Sequence, residues 1–166
     1  MRTKNSTRRS FLKGSLASAA TVGAATLALP ASAAPGKSGA QKIIITRPGQ
    51  PLTPATILSP ATQLGNLLFL SGAGAHDPQT HKVVPGPIGN QVKQCLENLK
   101  TILEAAGSSM DKVLKCTVFL TDITNFQAMN EVYHSYFPAN PPARTTIAAK
   151  DLPAESPVEI ECIAYV

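Results

Sequence analysis

Only two stretches of this chain carry a helical stripe of apolar residues, against five that read as strands, and that imbalance constrains the fold more than anything else. Val92, Cys95, Leu96, Leu99, Ile102, Leu103 and Ala106 recur at three- and four-residue spacing, which is one face of a helix. Pro87 suits the entry to that helix and Gly107 its stop. A second helix is expected from about Asn125 to Tyr136, with Phe126, Met129, Val132, Tyr133 and Tyr136 on its apolar face and Pro138 ending it. The strands are expected around Gln41–Thr46 with its run Ile43-Ile44-Ile45, Leu67–Ser71, Val113–Leu120, Arg144–Ala149 and Val158–Val166, and Val83-Val84 as a short addition. Leu67 to Ser71 is a continuous apolar run and is read as buried on both faces. Two helices cannot cover both faces of so wide a sheet. An α+β mixed sheet with both helices packed on one face is predicted, its other face needing a partner.

The N-terminus reads as an address. Thr7-Arg8-Arg9-Ser10-Phe11-Leu12-Lys13 fits a twin-arginine export signal, an uncharged stretch follows it, and Ala31-Ser32-Ala33 fits a cleavage site. Residues 1–33 are therefore expected to be removed, leaving one domain over 34–166, periplasmic or secreted, with no stable membrane anchor after cleavage. The full chain has 15 Lys and Arg against 10 Asp and Glu, but five of the positive residues precede Ala34. The remaining domain is then neutral overall, and a nucleic-acid partner is not expected. Cys95, Cys116 and Cys162 form no Cys-x-x-Cys pair and sit in apolar patterns, as small core residues do.

The residues suited to chemistry concentrate near the C-terminus. Arg144 opens one predicted strand and Glu159 and Glu161 lie in the next, where charge is expensive. Arginine offers a planar fork that matches a carboxylate, and glutamate can move protons. If the two strands are neighbours, Arg144 reaches Glu159 or Glu161, as either a structural ion pair or a site for a small acid. Asn130 interrupts the apolar face of the second helix, as a structural hydrogen-bonding residue or a ligand contact. His76, Asp77 and His81 match no common metal-ligand spacing and read as a solvated turn, while His134 reads as surface. No metal site is expected.

The chain resembles the reactive intermediate deaminase family (RidA/YjgF, endoribonuclease L-PSP). The resemblance rests on Leu64-Gly65-Asn66, Leu70-Ser71-Gly72, Leu96-Glu97-Asn98-Leu99-Lys100, Pro142-Ala143-Arg144-Thr145-Thr146 and Val158-Glu159-Ile160-Glu161. It implies a chorismate-mutase-like fold assembled as a homotrimer, with pockets between subunits. It implies hydrolysis of 2-imino or enamine acids to 2-keto acids and ammonia, without a cofactor. Arg144 would then grip the substrate carboxylate, Glu159 would handle water and protons, and Ser71, Asn130 and Thr146 would line the pocket. Leu58 stands where many members have tyrosine, and Ala73 where glutamine is common. Both changes make the pocket more apolar and leave open a carboxylate-binding or holdase-like protein of the same fold. The family's older name suggests ribonuclease activity, which a neutral domain does not support.

Overall fold

The computed structural model describes residues 39 and 41–166. The predicted leader, its cleavage site and the start of the domain at Ala34 lie outside the described residues.

Six strands form one mixed sheet: β1 (Ile43–Ile45), β2 (Ala61–Leu64), β3 (Leu67–Gly74), β4 (Val113–Leu120), β5 (Ala143–Ala148) and β6 (Val158–Tyr165), in the order β1-β2-β3-β6-β4-β5. All pairs are antiparallel except β4 with β5. Helices α1 (Ile88–Ala105) and α2 (Phe126–Tyr136) join β3 to β4 and β4 to β5. A helix crossover is what a parallel β4/β5 pair requires.

Both predicted helices form where their stripes lie. Val92, Cys95, Leu96, Leu99, Ile102 and Leu103 are buried in α1. Pro87 takes the N-cap position, and Gly107 follows the C-cap with φ +76°, a conformation that glycine adopts without a Cβ penalty. The helices cover one face only. Val118, Leu120, Val158, Ile160 and Cys162 on that face are at most 3 % exposed.

Three expectations change. Ala61–Leu64, in a stretch not assigned to a strand, forms β2 between β1 and β3. Val84 forms no strand and Val83 makes only a single bridge to His76. The run in β3 is buried on one face, not two: Leu68 and Leu70 are inside, but Leu67 is 38 % and Phe69 44 % exposed, because no helix lies over that side. Among the described residues, no helix is long and apolar enough to cross a membrane.

The candidate active site is split between two faces

Alternation along β5 turns Arg144 and Thr146 toward the helices. Arg144 is half-buried there and held on several sides. Its Nη2 donates to Asn130 Oδ1 at 2.6 Å, and Nη1 lies 3.9 Å from Met129 Sδ. The guanidinium carbon stands 4.5 Å from the Tyr133 ring centroid and 5.7 Å from that of Phe126, within reach of cation–π attraction. None of these partners is anionic. Asn130 is thus the residue that orients Arg144. Beside it, the Thr146 and Tyr133 hydroxyls are buried with no hydrogen-bond partner among the described residues. Unpaired buried hydroxyls are costly, so the cluster around Arg144 has polar capacity to spare for a ligand or water. Burial is the main reason the Tyr133 hydroxyl is held well above its ordinary pKa.

Glu159 lies elsewhere. The expectation that Arg144 approaches Glu159 or Glu161 fails within one chain, because β5 and β6 flank β4 and are not neighbours. Along β4, Arg144 is level with Cys116 and Glu159 with Phe119. Cys116 is buried under the helices, and Phe119, one face over, is not. Arg144 and Glu159 therefore project from opposite faces of the sheet.

Glu159 is seated by a β-bulge. Leu70 pairs with Cys162 and Ala73 with Ile160, so β3 carries one extra residue there, and bulges re-aim the side chains around them. The Glu159 side chain lies across Gly72, where an added Cβ would meet its Cδ at 2.6 Å. Burial pushes the Glu159 carboxyl above its ordinary pKa, Glu161 pushes the same way, and His76 opposes both.

Glu159 opens onto a cleft of about 580 Å³ that also receives Arg47, Leu58, Ser71 and His76. Ser71 lines the cleft as expected and also has a structural contact: its hydroxyl donates to the Ser59 carbonyl at 2.7 Å and its N–H to Pro60 at 3.0 Å. It staples the Leu58 loop to β3. Leu58 is 60 % exposed in the cleft, whereas Ala73 is 2 % exposed and turns its methyl into the core. The two family departures are thus unequal: Leu58 alters the cleft surface and Ala73 chiefly the core beneath it.

Two shaping residues are given no role in the sequence reading. Asn98 donates to the carbonyls of Gly74 and His76 at 3.0 and 2.9 Å, fixing the segment after β3. It lies three residues after Cys95 and four before Ile102, on the buried side of α1, and that position was the available signal. Buried Ser156 accepts from Ala75 N at 2.9 Å and donates to Val158 O at 2.6 Å. The His76 ring lies 2.9 Å from the Ala154 carbonyl, through Nε2. Asp77 accepts from Gln79 N and Thr80 N as the expected turn residue, and His134 is exposed. Among the described residues, no group of three His, Cys, Asp or Glu is arranged to hold a metal ion. The three cysteines are buried and free, and burial pushes their thiols up.

A six-stranded mixed sheet with two helices on one face is the architecture of the YjgF type of α+β protein. The endoribonuclease L-PSP family pattern matches residues 49–166. The chain is 41 % identical to a RutC family protein of Pyrococcus abyssi, over 76 % of this chain and 98 % of that one. It is 36 % identical to a 2-iminobutanoate/2-iminopropanoate deaminase of Dermatophagoides farinae, over 70 % and 92 %. The structure of TdcF from E. coli with bound serine superposes with a TM-score of 0.68 at 35 % identity, covering 75 % of this chain and 98 % of that one. The chain belongs to the RidA/YjgF (endoribonuclease L-PSP) family.

Proposed function

We propose that the protein hydrolyses reactive 2-imino (enamine) acids to 2-keto acids and ammonia, at a site built from two copies of the chain. The observation that carries this reading is Arg144: a half-buried guanidinium pinned by Asn130, stacked on Tyr133 and without an anionic partner in its contacts. Such a group binds a carboxylate with little reorganisation. The deaminase name of one relative and the serine bound to another support a small amino-acid-derived ligand.

In this mechanism Arg144 of one copy, with Thr146 beside it, holds the substrate carboxylate. Glu159 of the adjoining copy accepts a proton from water as its oxygen bonds to the imine carbon. The same carboxyl returns that proton to the nitrogen of the adduct formed from the protonated imine. The C–N bond then breaks as the adduct's hydroxyl passes its proton to Glu159 and its oxygen becomes the keto carbonyl. The departing ammonia takes that proton away as ammonium. Water addition to an imine is intrinsically easy, so positioning supplies most of the rate.

Opposite faces of one sheet cannot meet in one chain, which favours a shared site. The open face presents Leu67, Phe69, Ile147 and Tyr165, each at least 37 % exposed, and we infer a homotrimer joined there. Residues 1–33 are read as a twin-arginine leader, giving a periplasmic or secreted protein, which fractionation of the producing cell checks.

The test generates imino acids in place with an amino-acid oxidase and follows keto-acid release. Release no faster than in buffer, or unchanged in Arg144→Ala, overturns the reading. Arg144→Ala and Glu159→Ala chains should each be inactive. Mixed equally and co-refolded, they should recover about one quarter of wild-type activity, since one ordered pairing in four unites both intact residues. Leu58 in the cleft favours one rival reading, carboxylate binding without turnover, and ligand-dependent thermal stabilisation with no keto-acid release would identify it.

A further inference from the structure

The cleft at Glu159 also receives a cation that the proposed reaction does not use. Arg47 lines it, with Leu58 and Glu159 on the same cleft. The segment that carries Arg47 is fixed in shape. Gln50 N donates to the Arg47 carbonyl at 3.0 Å, Pro48 takes the first corner and Gly49 has φ +72°. Pro followed by a positive-φ Gly is the signature of a type II turn. Strand β1, paired with β2, anchors the turn two residues before Arg47.

Arg47 is half-buried. Burial pulls its guanidinium below the ordinary arginine range, and no carboxylate opposes that shift. Three carboxylates, those of Asp77, Glu159 and Glu161, line the same cleft, and none of them offsets the effect of burial on the Arg47 guanidinium. Asp77 accepts two backbone N–H groups of its own turn, at 3.0 and 2.7 Å, and Glu159 lies against Gly72. A partly desolvated guanidinium gains most from a bidentate anion. Leu58 lines the same cleft, an apolar surface suited to methylene groups rather than polar ones.

We propose that Arg47 forms a second anion subsite, so that the preferred ligand is a dicarboxylic 2-imino or 2-oxo acid whose far carboxylate Arg47 binds. This rests on the reading above, in which Arg144 of the adjoining copy holds the carboxylate next to the reacting carbon. The ligand then spans the cleft between two guanidinium forks, with Leu58 against its methylenes.

Titration calorimetry on the purified protein tests this with 2-oxoglutarate and 2-oxopentanoate, stable keto acids of equal carbon count that differ in one carboxylate. The dicarboxylate should bind at least about tenfold tighter. Arg47→Gln should bring the ratio of the two Kd values to about one, and Arg47→Lys should keep part of the preference. Equal affinities in the wild type, tighter binding of the monocarboxylate, or a ratio that survives Arg47→Gln overturns the proposal. Imine hydrolysis is measured separately with the imines of the same two acids. Failure to accelerate either one refutes the deaminase reading, while the Kd ratio still decides the role of Arg47.

Discussion

Gly72→Ala isolates the position of Glu159 from its presence. The added methyl would stand 2.6 Å from Glu159 Cδ and 2.9 Å from Cγ. Carbon atoms approach comfortably to about 3.5 Å, so the carboxyl must retreat by about 1 Å. The obstacle is the end of a flexible side chain rather than backbone, so the fold can absorb the change while the carboxylate cannot keep its place. A misplacement of this size costs on the order of 100-fold in rate, equivalent to about 2.7 kcal/mol in the barrier. The assay pairs keto-acid release from an imine generated in place with thermal unfolding of the same preparation. The expected result is kcat/KM down about 100-fold with the folded state retained. If Gly72→Ala keeps wild-type kcat/KM within a factor of about three while Glu159→Ala is inactive, the bulge does not position the carboxylate and the reasoning fails.

Arg144→Lys keeps the charge but removes the fork and its stacking on Tyr133, so kcat/KM should fall at least about tenfold; wild-type kinetics would show that a point charge suffices. Glu161→Gln removes a repulsion that raises the Glu159 carboxyl. Glu159 then stays ionised to lower pH, and the acid limb of the kcat/KM profile should move down; an upward shift refutes the assignment of Glu159 as base. Asn98→Leu strips hydrogen bonds from the Gly74 and His76 carbonyls and should cost about 2–4 kcal/mol in denaturant unfolding; a loss within error would mean that water replaces the amide.

The helices were legible because a 3.6-residue stripe is a local property, and both formed on the residues that carry it. The short β2 was not. Ala61-Thr62-Gln63-Leu64 has weak strand propensity and follows a run of prolines, and it is extended because β1 and β3 pair with it on either side. The same distinction governs the site. Alternation correctly put Arg144 with Thr146, and Glu159 with Glu161. The relation between the two pairs depends on β4 lying between their strands, and no spacing in the sequence encodes that order. The second role of Ser71, as a staple for the Leu58 loop, depends on a contact across 12 residues and was equally hidden.

The separation of Arg144 from Glu159 has a chemical consequence. Had the two met in one chain, they would have formed an ion pair. The arginine would then have spent its positive potential on a neighbour, and the glutamate carboxyl would have been pulled down. Both effects oppose the proposed reaction, which needs an uncommitted guanidinium for the substrate and a carboxylate basic enough to take a proton from water. The β6-β4-β5 order prevents this pairing within a chain. Arg144 rests on π faces, a thioether and an amide oxygen, all of which stabilise a cation without neutralising it. Glu159 rests on a glycine beside a second carboxylate, and both its burial and Glu161 raise its basicity. Each half is left electrostatically incomplete, and a bound imino acid between two copies would complete both, its carboxylate meeting the arginine and its cationic nitrogen lying close to the glutamate.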